Sequence, residues 1–208
     1  VSHYLLEFGA LAVAHFLALI SPGPDFFLIV GTSARQGPGR GAAVCCGIAA
    51  ANGLYILLAL TGCAMVRDHP LLRDGMKTAG ALYLLVLAVM LLRAPRHTAG
   101  GAAAAPERVP AGSRLRTFGA GFLSAALNPK NAVFYLSLFA LIVPPTTPAL
   151  VQALYGIWMF CAVLCWDLFI VWTIGNGRVT RYVNGSARLL EKGSGIVLFI
   201  LGIVMLIR

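Results

Sequence analysis

Two short stretches put proline, amide and charged side chains together inside otherwise apolar sequence: Ser21-Pro22-Gly23-Pro24-Asp25 and Asn128-Pro129-Lys130-Asn131. Proline lacks the N–H that continues a helix and clashes with the preceding turn, so each stretch should break or sharply kink the helix that carries it. In hydrocarbon, the backbone groups freed by a break must find protein, water or a ligand. A half-helix that starts at a break turns its N-terminal N–H groups and its dipole toward an anion such as a carboxylate. A packed kink is the alternative for one break alone; two at matching positions favour a binding site. Asp25 follows the first break directly. A carboxylate at mid-membrane costs ~2.5–3.5 kcal/mol on insertion scales, and nothing in a purely structural helix offsets that cost. Asp25 can bind an ammonium group, carry a proton, or pair with Lys130 in the second break. Asn128 and Asn131 add amides at the same depth.

Other polar residues lie within apolar runs. Asp167, in Cys165-Trp166-Asp167-Leu168, is a second intramembrane acid and a second candidate for a proton site. Asn52, in Ala51-Asn52-Gly53, is a further site candidate, though it fits a hydrogen bond between helices that meet at a small residue better. His15 fits a hydrogen-bonded core histidine better than a proton relay. Tyr55, Tyr83, Tyr135 and Tyr155 read as packing or interface residues. The chain carries no GxSxG, HExxH, Walker loop or paired catalytic Ser and His, so an enzyme is not expected, and transport would run on an ion or substrate gradient. The five cysteines, Cys45, Cys46, Cys63, Cys161 and Cys165, include no CxxC pair, which argues against a disulfide framework, a zinc site or any other metal centre. They read as buried small hydrophobes. No cofactor is implied.

These residues need a membrane to sit in. Of 208 residues, 59% are hydrophobic and 11% charged, against roughly 25% charged in an ordinary soluble domain. The uncharged run Gly41–Val66 alone covers 26 residues, more than the ~20 a spanning helix needs. Six spans follow: Leu5–Val30, Gly41–Val66, Leu71–Leu92, Thr117–Val143, Leu150–Ile174 and Ser194–Ile207. The first lacks the basic flank of a cleaved signal peptide and runs longer than its apolar core. The net charge of +9 lies in loops, the pattern of cytoplasmic loops beside anionic lipid and not of a nucleic-acid binder. Eleven basic residues fall on one side, from Arg35 and Arg40, through Arg93, Arg96, Arg108, Arg114 and Arg116, to Arg178, Arg181, Arg188 and Lys192. Four fall on the other: Arg67, Arg73, Lys77 and Arg208. The positive-inside rule then puts both termini outside the cytoplasm.

The chain also repeats itself. Span three ends Val89-Met90-Leu91-Leu92-Arg93 and span six ends Val204-Met205-Leu206-Ile207-Arg208. The proline breaks fall in the first span of each three-span half. Three is odd, so the halves enter the membrane from opposite sides, as in an inverted-topology repeat. The expected architecture is an all-α membrane protein of six transmembrane helices, with helices one and four broken. Residues 1–93 form the first repeat and 117–208 the second, joined by a flexible cytoplasmic linker over 94–116.

His15-Phe16-Leu17-Ala18-Leu19-Ile20-Ser21-Pro22-Gly23-Pro24-Asp25-Phe26-Phe27 resembles the first-helix signature of the LysE/RhtB family of amino-acid exporters. Asn128-Pro129-Lys130-Asn131-Ala132 resembles its fourth-helix motif, and Gly80-Ala81-Leu82-Tyr83-Leu84 its third-helix motif. Within that family the chain looks most like the threonine and homoserine exporters. The resemblance implies a bacterial inner-membrane transporter that exchanges a small neutral amino acid for protons. Its motif residues are Ser21, Pro22, Gly23, Pro24 and Asp25, with Asn128, Pro129 and Lys130. Asn131 and Asn52 depart from the family pattern. The partners implied are an amino acid, protons and the bilayer, with a homodimer left open. On this reading Asp25 alternates between a proton and the substrate ammonium, with Asp167 as the next candidate, while the substrate carboxylate meets Lys130 and the N–H groups after a break. A heavy-metal exporter of the cadmium type and a non-transporting membrane scaffold are the competing readings. The first lacks ligand spacing among the cysteines, and the second leaves the buried charges unexplained.

Overall fold

The computed structural model describes residues 2–20, 23–65, 69–93, 113–144, 146–174, 192–193, 195–200, 202–204 and 206–207. Every regular element among them is helical: α1 (Ser2–Ile20), α2 (Pro24–Gln36), α3 (Pro38–Met65), α4 (Pro70–Leu92), α5 (Arg114–Ala126), α6 (Pro129–Ile142) and α7 (Ala149–Ile174), followed by a short apolar helix within Gly195–Val204. Proline opens α2, α3, α4 and α6. Its fixed φ suits a first helical turn, and its missing N–H is one that turn would leave unbonded anyway. Ser113 caps α5, its hydroxyl accepting from the Arg116 N–H.

Three helices are long and apolar enough to cross a membrane, within His3–Ile20, Pro38–Gly62 and Ala149–Thr173. A fourth crossing arises if α5 and α6, bent by 56° at Leu127-Asn128, count as one broken span. The protein is therefore a multi-pass membrane protein. Large apolar side chains face outward along its length, Leu71 at 92% and Trp172 at 78% exposed among them, a surface for lipid and not for water.

The second and fifth expected spans match α3 and α7 closely. The first is interrupted where the sequence places the break, α1 ending at Ile20 and α2 opening at Pro24, but it outruns Leu5–Val30: α1 begins at Ser2 and is by itself long enough to cross, and α2 runs on to Gln36, where Thr32 and Ser33 are buried. In the third expected span the apolar stretch is the shorter Thr78–Met90, and Arg73, Asp74 and Lys77 occupy the first turns of α4. α5 starts at Arg114, inside the segment read as linker. The rest of the segment read as linker, residues 94–112, and residues 175–191 lie outside the described residues. The cysteines also differ from expectation: Cys45 is buried, while Cys46, Cys161 and Cys165 face outward.

The helix α3 is central and packs on α2, α5, α6 and α7. Its closest neighbour is α5, and the two run in the same direction, Gly39 lying by Arg114, Val44 by Gly121, and Tyr55 by Ala126. A Cβ on Gly47 would collide with the backbone of Phe118 and Phe122, and one on Gly121 with the backbone at Val44. Without a hydrophobic force between helices in lipid, such small residues let backbones approach and gain dispersion contact. Gly37 turns α2 into α3 with φ +87°, a conformation other residues avoid. At the opposite end, His3 and Glu7 of α1, Asp74 of α4, Pro144 after α6, and Leu206 near the C-terminus surround one wide cavity of about 740 Å³. Both chain ends therefore lie at the same end of the bundle.

Candidate functional site

Two apolar clusters make up the interior. One gathers Leu11, Leu84, Phe134, Phe139, Met159 and Leu198; the other gathers Ile29, Val44, Ile48, Ala125, Val163 and Val171. Between them lies a compact cavity of about 80 Å³, where roughly 10–15 Å³ admits one water. Phe134 and Tyr135 of the first cluster and Ile48 and Val163 of the second form walls; Phe26, Trp166 and Ile170 add to them. The polar lining is His15, Asp25, Asn52, Asn128, Asn131 and Asp167, with Gly23 and Pro24 at the first break.

The first break presents Asp25. Gly23 is the N-cap of α2, Pro24 follows, and Asp25 lies in the first turn, where the helix dipole favours a negative charge. The second break supplies its partners. Ser124 in the last turn of α5 donates its hydroxyl to Asp25 Oδ1 at 2.7 Å, and Asn131 in the first turn of α6 donates Nδ2 to Oδ2 at 3.1 Å. One carboxylate thus ties the two breaks together. The carbonyls freed at the second break are bonded as well: Ala125 accepts from Asn131 Nδ2 and the Asn128 N–H, and Ala126 accepts from the Tyr55 hydroxyl of α3. Tyr55, read from sequence as packing, caps the broken end.

The other acid, Asp167 of α7, is 5% exposed, and its Oδ2 accepts no hydrogen bond among the described residues. Asn52 Oδ1 and His15 Nδ1 are likewise buried without a partner. The hydrogen bond between helices expected of Asn52 is not made through its Oδ1 among the described residues. His15 Nε2 lies 3.3 Å from the Tyr135 hydroxyl, and the ring stacks on Phe134. His15 is a hydrogen-bonded core histidine, as expected, and also part of the cavity wall.

Of the residues singled out from sequence, Gly23, Pro24, Asp25, Asn52, Asn128, Asn131 and Asp167 all reach this cavity. Ser21 and Pro22 lie outside the described residues, and so do the side chains of Pro129 and Lys130, whose backbones open α6. The expected pairing of Asp25 with Lys130 therefore rests where the sequence left it; the partners seen on Asp25 are Ser124 and Asn131. Ser124 carried no sequence signal beyond its place four residues before Asn128. Among the described residues, no three His, Cys, Asp or Glu side chains come together as a metal site.

No solved structure matches the chain. The chain is 29% identical over 210 residues to the threonine efflux protein of Escherichia coli, across 94% of this chain and 98% of that protein. It is 24% identical over 196 residues to the leucine efflux protein of Salmonella choleraesuis, across 93% and 90% respectively. The model of the LysE type translocators matches residues 16–208, so nearly the whole chain is accounted for, and the protein belongs to the LysE type translocator family.

Proposed function

We propose that this protein exports small neutral amino acids across the bacterial inner membrane in exchange for protons. The observation that carries this reading is the Asp25 carboxylate, held by Ser124 and Asn131 across the two helix breaks and facing a small cavity lined by both apolar and polar side chains. A small zwitterion fits such a place. Its ammonium meets Asp25, its carboxylate meets Lys130 and the N–H groups that open α6, and its side chain meets the Phe134 and Trp166 side of the wall. The efflux proteins for threonine and leucine among the relatives support the substrate class. Asp25 stands ten residues before Arg35 on α2, ~15 Å along the helix axis. With Arg35 at the cytoplasmic interface, Asp25 lies near the middle of a hydrocarbon core ~30 Å thick.

The chain is read as six crossings in two inverted three-helix repeats, 1–93 and 117–208, with residues 94–116 on the cytoplasmic side and both termini in the periplasm. The charge division between loops supports this orientation, as does the meeting of both chain ends at the mouth opposite Arg40 and Arg114. The test is a transport panel in liposomes holding the full-length protein, with a series of amino acids and with cadmium. Accumulation of neutral amino acids driven by an imposed proton gradient is expected, with amidated or N-acylated analogues excluded because each lacks one charge. Cadmium transport without amino-acid transport would replace this reading with the metal exporter, and no transport at all would leave the scaffold.

A further inference from the structure

The proposed exchange needs a residue that carries the proton, and the cavity holds two acids with opposite surroundings. Asp25 is supplied with donors, one on each carboxylate oxygen. An ionised carboxylate is acceptor-only, so both bonds suit the charged form and leave it ready for an ammonium. Asp167 has no such supply. It is buried to 5% exposure, and its Oδ2 has no donor among the described residues. The groups that face it are His15 from α1, Asp25 from α2, Cys45 and Asn52 from α3, and Tyr135 from α6.

The orphaned polar atoms around this cavity all lack the same thing. Asp167 Oδ2, Asn52 Oδ1 and His15 Nδ1 are buried without partners. The first two are acceptors, and His15 Nδ1 is one too when Nε2 bears the proton toward Tyr135. The group is therefore short of donors among the described residues. A single proton on Asp167 supplies one, turning a donorless oxygen into an O–H that can serve one of the two acceptors left unfilled about the same cavity. The same proton removes the repulsion of a second negative charge facing Asp25.

We infer that Asp167 carries the coupled proton, while Asp25 stays ionised as the anchor for the substrate ammonium. This rests on the reading of the protein as a proton-coupled amino-acid exporter, and of the two acids the sequence offers it gives the proton role to Asp167 of α7. In each cycle a proton entering from the outer side forms the O–H bond on Asp167, and that bond breaks when the proton leaves to the cytoplasm. The amino acid crosses outward as an intact zwitterion of zero net charge. One positive charge therefore moves inward per exchange, if one proton is exchanged for each amino acid.

Two assays in liposomes of the full-length protein separate the roles, with labelled threonine and leucine as probes. One reads exchange of labelled for unlabelled substrate at equal pH; the other reads accumulation driven by a pH gradient. For Asp167→Asn, exchange should remain measurable above empty liposomes while gradient-driven accumulation is lost, and Asp167→Glu should restore accumulation. Asp25→Asn should lose both. Accumulation that survives Asp167→Asn overturns the inference, as does loss of both activities in Asp167→Asn and Asp167→Glu alike. A wild-type protein that exchanges substrate but never responds to the gradient overturns the proton reading itself, and a wild type inert toward every amino acid overturns the exporter.

Discussion

Asp25 and Glu7 are alike in chemistry and unlike in setting. Asp25 accepts from Ser124 and Asn131 in a compact cavity inside the bundle. Glu7, in the second turn of α1, accepts from the Thr147 hydroxyl at 3.0 Å and the Tyr155 hydroxyl at 3.4 Å, while His3 Nε2 lies 2.8 Å from its other oxygen. Tyr155 also donates to the Tyr4 carbonyl, fastening α1 to α7. Each acid therefore joins distant elements through side-chain donors. The difference is space and neighbours. The space before Asp25 is small and shared with Asp167, Asn52 and His15, each with an atom unbonded among the described residues, whereas Glu7 borders the wide mouth lined by His3 and Leu206. A half-buried acid beside a small cavity with unfilled polar atoms is placed to meet a small ligand; a buried acid, bonded from two helices and a loop, holds the mouth in shape.

The largest effect expected comes from separating the elements that build the inner site. Gly121→Val pushes α5 off α3 and takes Ser124 with it. Overpacking costs about 1–3 kcal/mol, and here the obstacle is backbone, so little folded protein should survive extraction into detergent and transport should vanish. Next, Asp25→Asn should abolish substrate exchange yet leave the melting temperature in detergent close to wild type, because the Asn131 amide keeps an acceptor oxygen and the Ser124 hydroxyl can turn to accept from the new amide N–H. Glu7→Ala should do the reverse. It strands the Thr147 hydroxyl, which costs about 1–3 kcal/mol in stability, and lowers the melting temperature while exchange persists. If Glu7→Ala instead stops transport at unchanged stability, the distinction between the two acids fails. The smallest effect belongs to Ser124→Ala, which removes one of two bonds to Asp25. A net loss of about 1 kcal/mol corresponds to a several-fold rise in the substrate concentration needed for half-maximal exchange.

Much of the inner site was legible because its residues are costly where they stand. Prolines inside apolar runs, and Asp25, Asp167, Asn52 and Asn131 at membrane depth, violate what a lipid-embedded helix needs, and the structure gathers all four polar side chains at one cavity. Ser124, Tyr55 and His15 were passed over as site residues because serine, tyrosine and a lone histidine are ordinary in a packed membrane helix. Glu7 was passed over because a carboxylate near the start of a span is no anomaly; its burial, at 6% exposure, depends on Thr147 and Tyr155, far away in sequence.

By itself the sequence determined the solvent and the punctuation of the chain. Apolar runs with so few charges can be accommodated only by lipid, and proline at the first turn both starts a helix and prevents it from continuing the one before. Both are local consequences of side-chain chemistry, so they need no knowledge of neighbours. Which donors meet Asp25, which carbonyl Tyr55 caps, and which acid is left without a donor were decided only by tertiary structure. Those matters turn on a few ångströms between α2, α3, α5, α6 and α7, and that spacing is set by where glycines such as Gly47 and Gly121 let two backbones touch.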